Sequence, residues 1–341
     1  DVLVNLALAH AESYLFEKAL SFYEKALDAD PEQHEILLGM IMCHIRMHNL
    51  EKAENLAQAY LDADFPAKVS ATALMTTILK QQGRLEDSIE VHKKVVSMAP
   101  ESAELYSNML LDMIYTDSIS QEELFKYHLE YAQRYETPVL NQRRPHTNTP
   151  NPNKKIKIGY VSADLYNHSV AYFALPLISK HDRGQFEVYC YSNSKFNDAT
   201  TMLFQKESIW RQIDRLSDAE LAHQIQKDEI DILVDLSGHT GHNRLRTFAL
   251  KPAPVQIGWL GYPFSTGLSS MDYRLVDKIV EPEGASEHIS SEALLYLPNS
   301  FSVYRPSIRH AYRLTNGELD ILPAPALKNG YVTFGCCNNV A

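Results

Sequence analysis

The 341 residues hold few cysteines, no long apolar run and no excess of basic charge. The four cysteines, Cys43, Cys190, Cys336 and Cys337, fit neither a zinc-ligand spacing nor a disulfide framework. Such usage points to a reducing compartment, the cytoplasm. Cys336 and Cys337 sit side by side in the strand-like run YVTFGCC and read as packing, not redox chemistry. No stretch approaches the ~18 apolar residues of a membrane span, and no signal peptide opens the sequence. The net charge is −11 with a pI of about 5.7, which argues against a nucleic-acid partner, since that would need a basic face. G-x-G-x-x-G, G-x-x-x-x-G-K-[ST] and G-x-S-x-G are all absent, so a dinucleotide fingerprint, a P-loop and a hydrolase nucleophile elbow are unsupported. His239 and His242 are close in sequence but have no evident carboxylate or cysteine partner for a metal.

What is present is an ordinary globular composition, 45% apolar and 22% charged, with length enough for two domains. Pro31, Pro66 and Pro100 recur at a period of about 34 residues, the spacing of the tetratricopeptide repeat. Each is preceded by a small residue, Ala19, Ala53 or Ser88, within FEKALSFYEKAL, LEKAENLAQAYL and LEDSIEVHKKVV. A small side chain lets paired helices approach, and a proline ends the second of them. Gly83 opens the turn before the third repeat's second helix. About three repeats are expected over 1–100, then transitional helices over 101–137, with Ser120 and Glu123 spaced as a capping box. His128, between Tyr127 and Tyr131, reads by itself as a packed or surface histidine. The proline- and asparagine-rich segment 138–154 reads as a linker.

From 155 to about 330 the pattern changes. Apolar runs at 156–162, 186–192, 230–238, 255–261, 271–277 and 293–298 alternate with helical segments at 170–180, 200–208 and 218–227. Continuous apolar strands suit a parallel sheet buried on both faces, and the alternation implies a doubly wound α/β domain. The expected fold is therefore α plus α/β, a tetratricopeptide superhelix followed by a Rossmann-like domain. Polar and glycine residues gather behind three strands. Ser162, Asp164 and His168 follow the first. Asp235, Gly238, His239, Thr240, Asn243 and Arg244 follow the third. Gly261, Tyr262, Pro263, Ser265, Thr266 and Gly267 follow the fourth. Ligands of open α/β sheets bind outside the carboxyl ends of the strands, so these loops form a candidate crevice. Taken loop by loop, Asp164 also reads as a helix cap and His168 as an ordinary loop histidine.

GYVSADLYNHSV, DILVDLSGHTGHNRL and ALKPAPVQIGWLGYPFSTGLSSMDYRLVD, behind a tetratricopeptide array, resemble the O-linked N-acetylglucosaminyltransferase family, including its SPINDLY-type members. The resemblance implies the first half of a GT-B glycosyltransferase that moves N-acetylglucosamine from UDP-GlcNAc, with inversion and without a metal ion, to Ser or Thr of intracellular proteins. The repeats would recruit the acceptor. His168, His128 and Asp164 fall on positions considered for catalysis, and His128 would lie where the two domains meet. Leu260, Gly261 and Pro263 fall near the donor sugar and Arg244 in the third-strand loop, with Gly238, His239, Thr240 and Thr266 as further binding candidates. A histidine titrating near neutrality would suit the proton sink that inverting transfer needs. Family members commonly carry glycine and threonine where this chain has Phe264 and Ser265, and animal members carry proline and threonine where it has Ser169 and Val170.

The sequence starts at Asp1 inside a helical pattern and stops at Ala341, so a piece of a longer protein is expected, with 331–341 opening the second catalytic half. Such a piece would fold but transfer nothing. Two alternatives stand beside this reading. One is a protein O-fucosyltransferase using GDP-fucose, and the other is a repeat scaffold with a degenerate transferase domain.

Overall fold

The computed structural model describes residues 2–63, 65–306, 313, 316 and 323–335. They form two compact units that divide between Tyr127 and His128. In the first unit, α1 (Val2–Glu12) packs on α2 (Phe16–Ala29), α3 (Glu35–Arg46) on α4 (Leu50–Asp62), and α5 (Lys68–Gln81) on α6 (Leu85–Met98). The second helix of each pair stops just ahead of Pro31, Pro66 or Pro100, as the repeat reading expects. Ala19, Ala53 and Ser88 expose no surface, which is the close helix approach that their size permits. Gly83 takes φ +77° in the turn before α6, a backbone state that glycine adopts without a steric penalty. Helices α7 (Ala103–Met113) and α8 (Gln121–Tyr135) follow, capped by Ser102, which accepts from Leu105 N, and by Ser120, which accepts from Glu123 N at 3.2 Å. A groove of about 570 Å³, lined by Leu38, Leu74, Lys80, Asn108 and Asp112 among others, runs along α3, α5 and α7.

The third repeat carries a hydroxyl where the other two carry a methyl, and the reason lies in Asp112. Ser88 Oγ donates to the Thr76 carbonyl at 3.0 Å and to Asp112 Oδ2 at 3.2 Å. Lys80 Nζ reaches Asp112 Oδ1 at 2.9 Å and His92 Nδ1 lies 3.4 Å from Oδ2. Burial works against the carboxylate, yet His92 and Lys80 hold its pKa below the usual value. A depressed pKa adds stability that is present above the unfolded carboxylate value, about 3.9, and is lost as pH falls through the lower folded value. Asp112→Asn is therefore expected to weaken the repeat unit by about 2 kcal/mol at neutral pH and to flatten its acid unfolding below pH about 4. Urea melts followed by far-UV circular dichroism at several pH values check this, and an unchanged acid profile would remove Asp112 from the account.

The second unit is built on β1 (Ile156–Ser162), β2 (Phe186–Ser192), β3 (Ile209–Gln212), β4 (Ile232–Asp235), β5 (Val255–Gly258), β6 (Tyr273–Val276) and β7 (Ala293–Tyr296). All pair in parallel in the order β3-β2-β1-β4-β5-β6-β7. Helices α9 (Ser169–Lys180), α10 (Ala199–Glu207), α11 (Asp218–Lys227) and α12 (Leu245–Ala249) lie in the connections. Leu165, Ala174, Ile178, Cys190, Phe204, Val234, Leu236 and Trp259 make the core between helices and sheet. The strand β3 has no counterpart among the expected apolar runs. It is a four-residue edge strand with both end residues exposed, so it never needs a continuous apolar sequence. Residues 332–335 of YVTFGCC are exposed and not in a strand, while Cys336 and Cys337 lie outside the described residues.

The segment 138–154 differs from a free linker. After a 3-10 turn over Thr137–Gln142 it is strapped to the α/β unit. Arg143 Nε donates to the Ala249 carbonyl at 2.9 Å. The Asn148 amide donates to the Glu229 and Ile230 carbonyls and to Asp231 at 2.8 Å, and Lys154 pairs with Asp231 at 2.6 Å. Polar side chains that suggest a solvated tether here serve as donors to loop carbonyls.

Candidate functional site

From β1 the chain moves outward to β2 and β3, then returns to place β4 on the other side of β1. This reversal is the topological switch point, where loops on the two sides part and leave a crevice. A cleft of about 400 Å³ opens there, between the loops that follow β1, β4 and β5. Asp164, His168, Ser169, Val170 and Phe173 line it from the β1 side, Thr240, Gly241 and His242 from β4, and Leu260 and Gly261 from β5.

The β1 loop is shaped by local hydrogen bonds. Ser162 Oγ accepts from Asp164 N at 2.9 Å, and Asn167 N donates to Asp198, which itself caps α10. His168, not Asp164, caps α9: its extended backbone turns the ring so that Nδ1 accepts from Val170 N at 3.3 Å. Asp164 Oδ1 stands 3.8 Å from the same nitrogen. Burial raises the Asp164 pKa, and the nearby His168 and His242 pull it the other way. Tyr166 packs against the His168 ring at 5.6 Å and against Phe196 at 4.8 Å.

Behind β4, the buried Asp235 accepts from Ser237 N at 3.0 Å and Gly238 N at 2.8 Å, which bends the chain out of the sheet. Its pKa is pushed up to about 6 by burial, with the Glu292 charge adding to the rise and the two backbone donors opposing it. Gly238 has φ +55°, and a Cβ there would fall 2.2 Å from Tyr262 Cβ. Thr240 Oγ1 ties back to the Ser237 carbonyl at 2.9 Å. Arg244 stays out of the cleft. It braces neighbouring loops, pairing with Asp218 at 3.0 Å and donating to the Leu216 carbonyl at 2.8 Å.

The β5 loop carries the tightest packing. Leu260 takes φ +80°, a left-handed state that is strained for a branched side chain. Gly261 follows, pressed against the Leu236 carbonyl. Leu260 separates the cleft from a cavity of about 80 Å³ that Gly238, Pro263, Phe264, Thr266, Asp235 and Glu292 help to line. Glu292, from just before β7, anchors the loop: Oε1 accepts from Thr266 N at 2.7 Å and Oε2 from Ser265 Oγ at 2.7 Å.

His128 and His239 are fully buried beneath this loop. Their rings meet edge to face at 5.1 Å. His128 Nε2 hydrogen-bonds with the Tyr262 hydroxyl at 2.8 Å, and its ring packs on Phe264 at 5.0 Å. His239 Nε2 donates to the Thr266 carbonyl at 2.9 Å, and burial together with His128 holds its pKa well below the usual imidazole value. Gly267, at φ +78°, comes so close to the His128 carbonyl that a Cβ would lie 2.2 Å from it.

Of the candidate residues, then, Asp164, His168, Thr240, Leu260 and Gly261 share one cleft. Gly238, Pro263 and Thr266 shape the cavity behind it, and His128, His239 and Arg244 lie off the cleft surface. His242 and Glu292 were not among the candidates. His242 had a signal in its place within the β4 loop, whereas Glu292, far downstream before a strand, had none. Among the described residues no group of three or more His, Cys, Asp or Glu is arranged to hold a metal ion, and no helix is long and apolar enough to cross a membrane.

A probable UDP-N-acetylglucosamine–peptide N-acetylglucosaminyltransferase SPINDLY of Solanum lycopersicum is 38% identical over 248 residues, 71% of this chain and 26% of that protein. A UDP-N-acetylglucosamine–peptide N-acetylglucosaminyltransferase of Caenorhabditis elegans is 33% identical over 163 residues, 46% of this chain and 14% of its own length. The solved structure of a Thermobaculum terrenum O-GlcNAc transferase superposes with a TM-score of 0.79 at 31% identity, covering 90% of this chain and 59% of that one. The chain thus spans about a quarter of the length of its plant relatives. The tetratricopeptide profile matches residues 11–78. With the profile of glycosyl transferase family 41 matching residues 136–312, over half of its length, the chain belongs to that family.

Proposed function

We propose that the full-length protein transfers N-acetylglucosamine from UDP-GlcNAc to serine or threonine hydroxyls of other proteins. The observation that carries this reading is the cleft at the β1/β4 switch point, where Asp164, His168, Thr240, Leu260 and Gly261 come together. The names of the tomato, nematode and Thermobaculum relatives support the donor and the acceptor class. In this reading Asp164 and His168 form the polar wall that meets the reacting groups, and the Leu260–Gly261 backbone is the surface beside the sugar. Gly238, Pro263 and Thr266 set the shape behind Leu260. Arg244 holds the loops in register, and His128 and His239 support the β5 loop from below through Tyr262 and Thr266. The groove along α3, α5 and α7 is where an acceptor segment would lie, in an intracellular setting.

Incubating the full-length protein with labelled UDP-GlcNAc and an extract of acceptor proteins tests this. The expected result is label on hydroxyl side chains. Label arriving only from GDP-fucose, or from neither donor, overturns it.

A further inference from the structure

We propose that His168 meets its substrate as a hydrogen-bond donor through Nε2–H, with the cap of α9 fixing that tautomer. A neutral imidazole carries one N–H and one lone pair, and which nitrogen holds the proton is set by the bond that the other one makes. Here Nδ1 accepts from the Val170 backbone N–H at 3.3 Å. A backbone amide can only donate, so Nδ1 holds the lone pair and the ring proton sits on Nε2. His168 lines the cleft with its side chain 37% exposed. With Nδ1 committed to the helix, Nε2 is the nitrogen left for a ligand.

Taking up a proton at Nε2 needs the opposite tautomer. Nδ1–H would then face the Val170 N–H, two donors with no acceptor between them. A base of that kind is ordinarily held by a carboxylate hydrogen-bonded to Nδ1–H. The nearest carboxylate oxygen here, Asp164 Oδ1, is 3.8 Å away, beyond hydrogen-bond reach. Tyr166 packs on the His168 ring at 5.6 Å and is itself packed against Phe196 at 4.8 Å. His242 is the other titratable group on this cleft. His168 therefore binds a substrate oxygen and stabilises charge that gathers there, and its own proton stays on the ring throughout.

The tautomer rests on this geometry alone, whereas its part in transfer rests on the proposed reaction, so two experiments separate them. In the 341-residue chain labelled with ¹⁵N-histidine, the resonances lost in His168→Gln are expected to show Nδ1 as the unprotonated nitrogen and Nε2 as the protonated one. A protonated Nδ1 in the neutral ring overturns the proposal whether or not the protein transfers sugar. In the full-length protein, His168→Ala is expected to lose about 10²-fold or more in kcat, the scale of a lost transition-state donor. His168→Gln, whose amide keeps an N–H near the place of Nε2, is expected to stay within about tenfold of wild type. Gln as inactive as Ala, with both variants folded, would mean that His168 moves a proton and that the donor assignment is wrong.

Discussion

Gly261→Ala is expected to cost about 3 kcal/mol or more, since its clash is with backbone and typical overpacking costs 1–3. The new Cβ would stand 1.9 Å from the Leu236 carbonyl oxygen, 2.7 Å from its carbon and 3.1 Å from Ser237 Cα. None of these can swing aside. Leu236 is fully buried, and its N–H is bonded to the Val161 carbonyl at 3.1 Å, so moving it tears the end of β4 from β1. Retreat of Gly261 itself would drag Leu260 out of its left-handed conformation and dismantle the floor shared by the cleft and the smaller cavity. Gly241, on the same cleft, is the control: a Cβ there meets nothing within 4 Å, and Gly241→Ala should change stability by only about 0.5 kcal/mol. Denaturant melts of the two variants decide the matter. If both melt like the wild type, the close approach of the β4 and β5 loops is not a constraint on this fold.

Glu292 is the second position where a single change is expected to act strongly. Its carboxylate is 4% exposed and accepts from Thr266 N, Thr266 Oγ1, Ser265 Oγ and Ser290 Oγ at 2.5 to 3.0 Å. Glu292→Ala leaves the Thr266 amide buried without an acceptor and opens a void, at an expected cost of about 3 kcal/mol. Glu292→Gln keeps one carbonyl oxygen for the Thr266 amide, and the serine and threonine hydroxyls can rotate to accept from the new amide. It should recover most of the loss. The Gln variant also removes a charge that helps to raise the Asp235 pKa to about 6. A carboxyl titrating higher when folded favours the folded state at low pH, and that advantage is lost as pH rises from about 4 toward 6. Glu292→Gln should make this decline shallower. Stability against urea measured across that range gives both answers. An alanine variant as stable as Gln, or an unchanged slope in Gln, would show that Glu292 is not the anchor of the β5 loop.

Neither effect could have been read from the chain alone. Thr266 and Glu292 are far apart in sequence, and so are Gly261 and Leu236. Their contacts exist only because the connections that follow β4 and β5 and the segment that precedes β7 fold against one another in the tertiary structure. Glu136 behaves in the same way. It accepts from the Ser269 and Ser270 amides at 2.8 Å and from Arg143 at 2.6 Å, which fastens the start of the strap to the β5–β6 connection. In sequence it is one more acidic residue at the end of a helix.

Other features were legible because their physics is local. The repeat array follows from small residues and prolines at a fixed period, since helix approach and helix termination are decided within a few residues of each. Six of the seven strands follow from runs apolar enough to be buried on both faces, and β3 escaped because an exposed edge strand leaves no such run. The polar loop after β1 and the polar, glycine-containing loops after β4 and β5 were visible as loops, and their meeting at one crevice follows from the general behaviour of parallel sheets.

What the sequence determined by itself is therefore the kind of protein this is: a helical repeat array ahead of a doubly wound domain whose three strand-end loops face one side. What only the tertiary structure decided is where each histidine sits and what it touches. His128, His168 and His239 are alike as letters. Packing buries two of them beneath the β5 loop and leaves the third at the head of α9, its Nδ1 committed to the Val170 amide and its Nε2 left for the cleft. An imidazole has two inequivalent nitrogens, and which one carries the proton depends on neighbours that only the folded chain supplies.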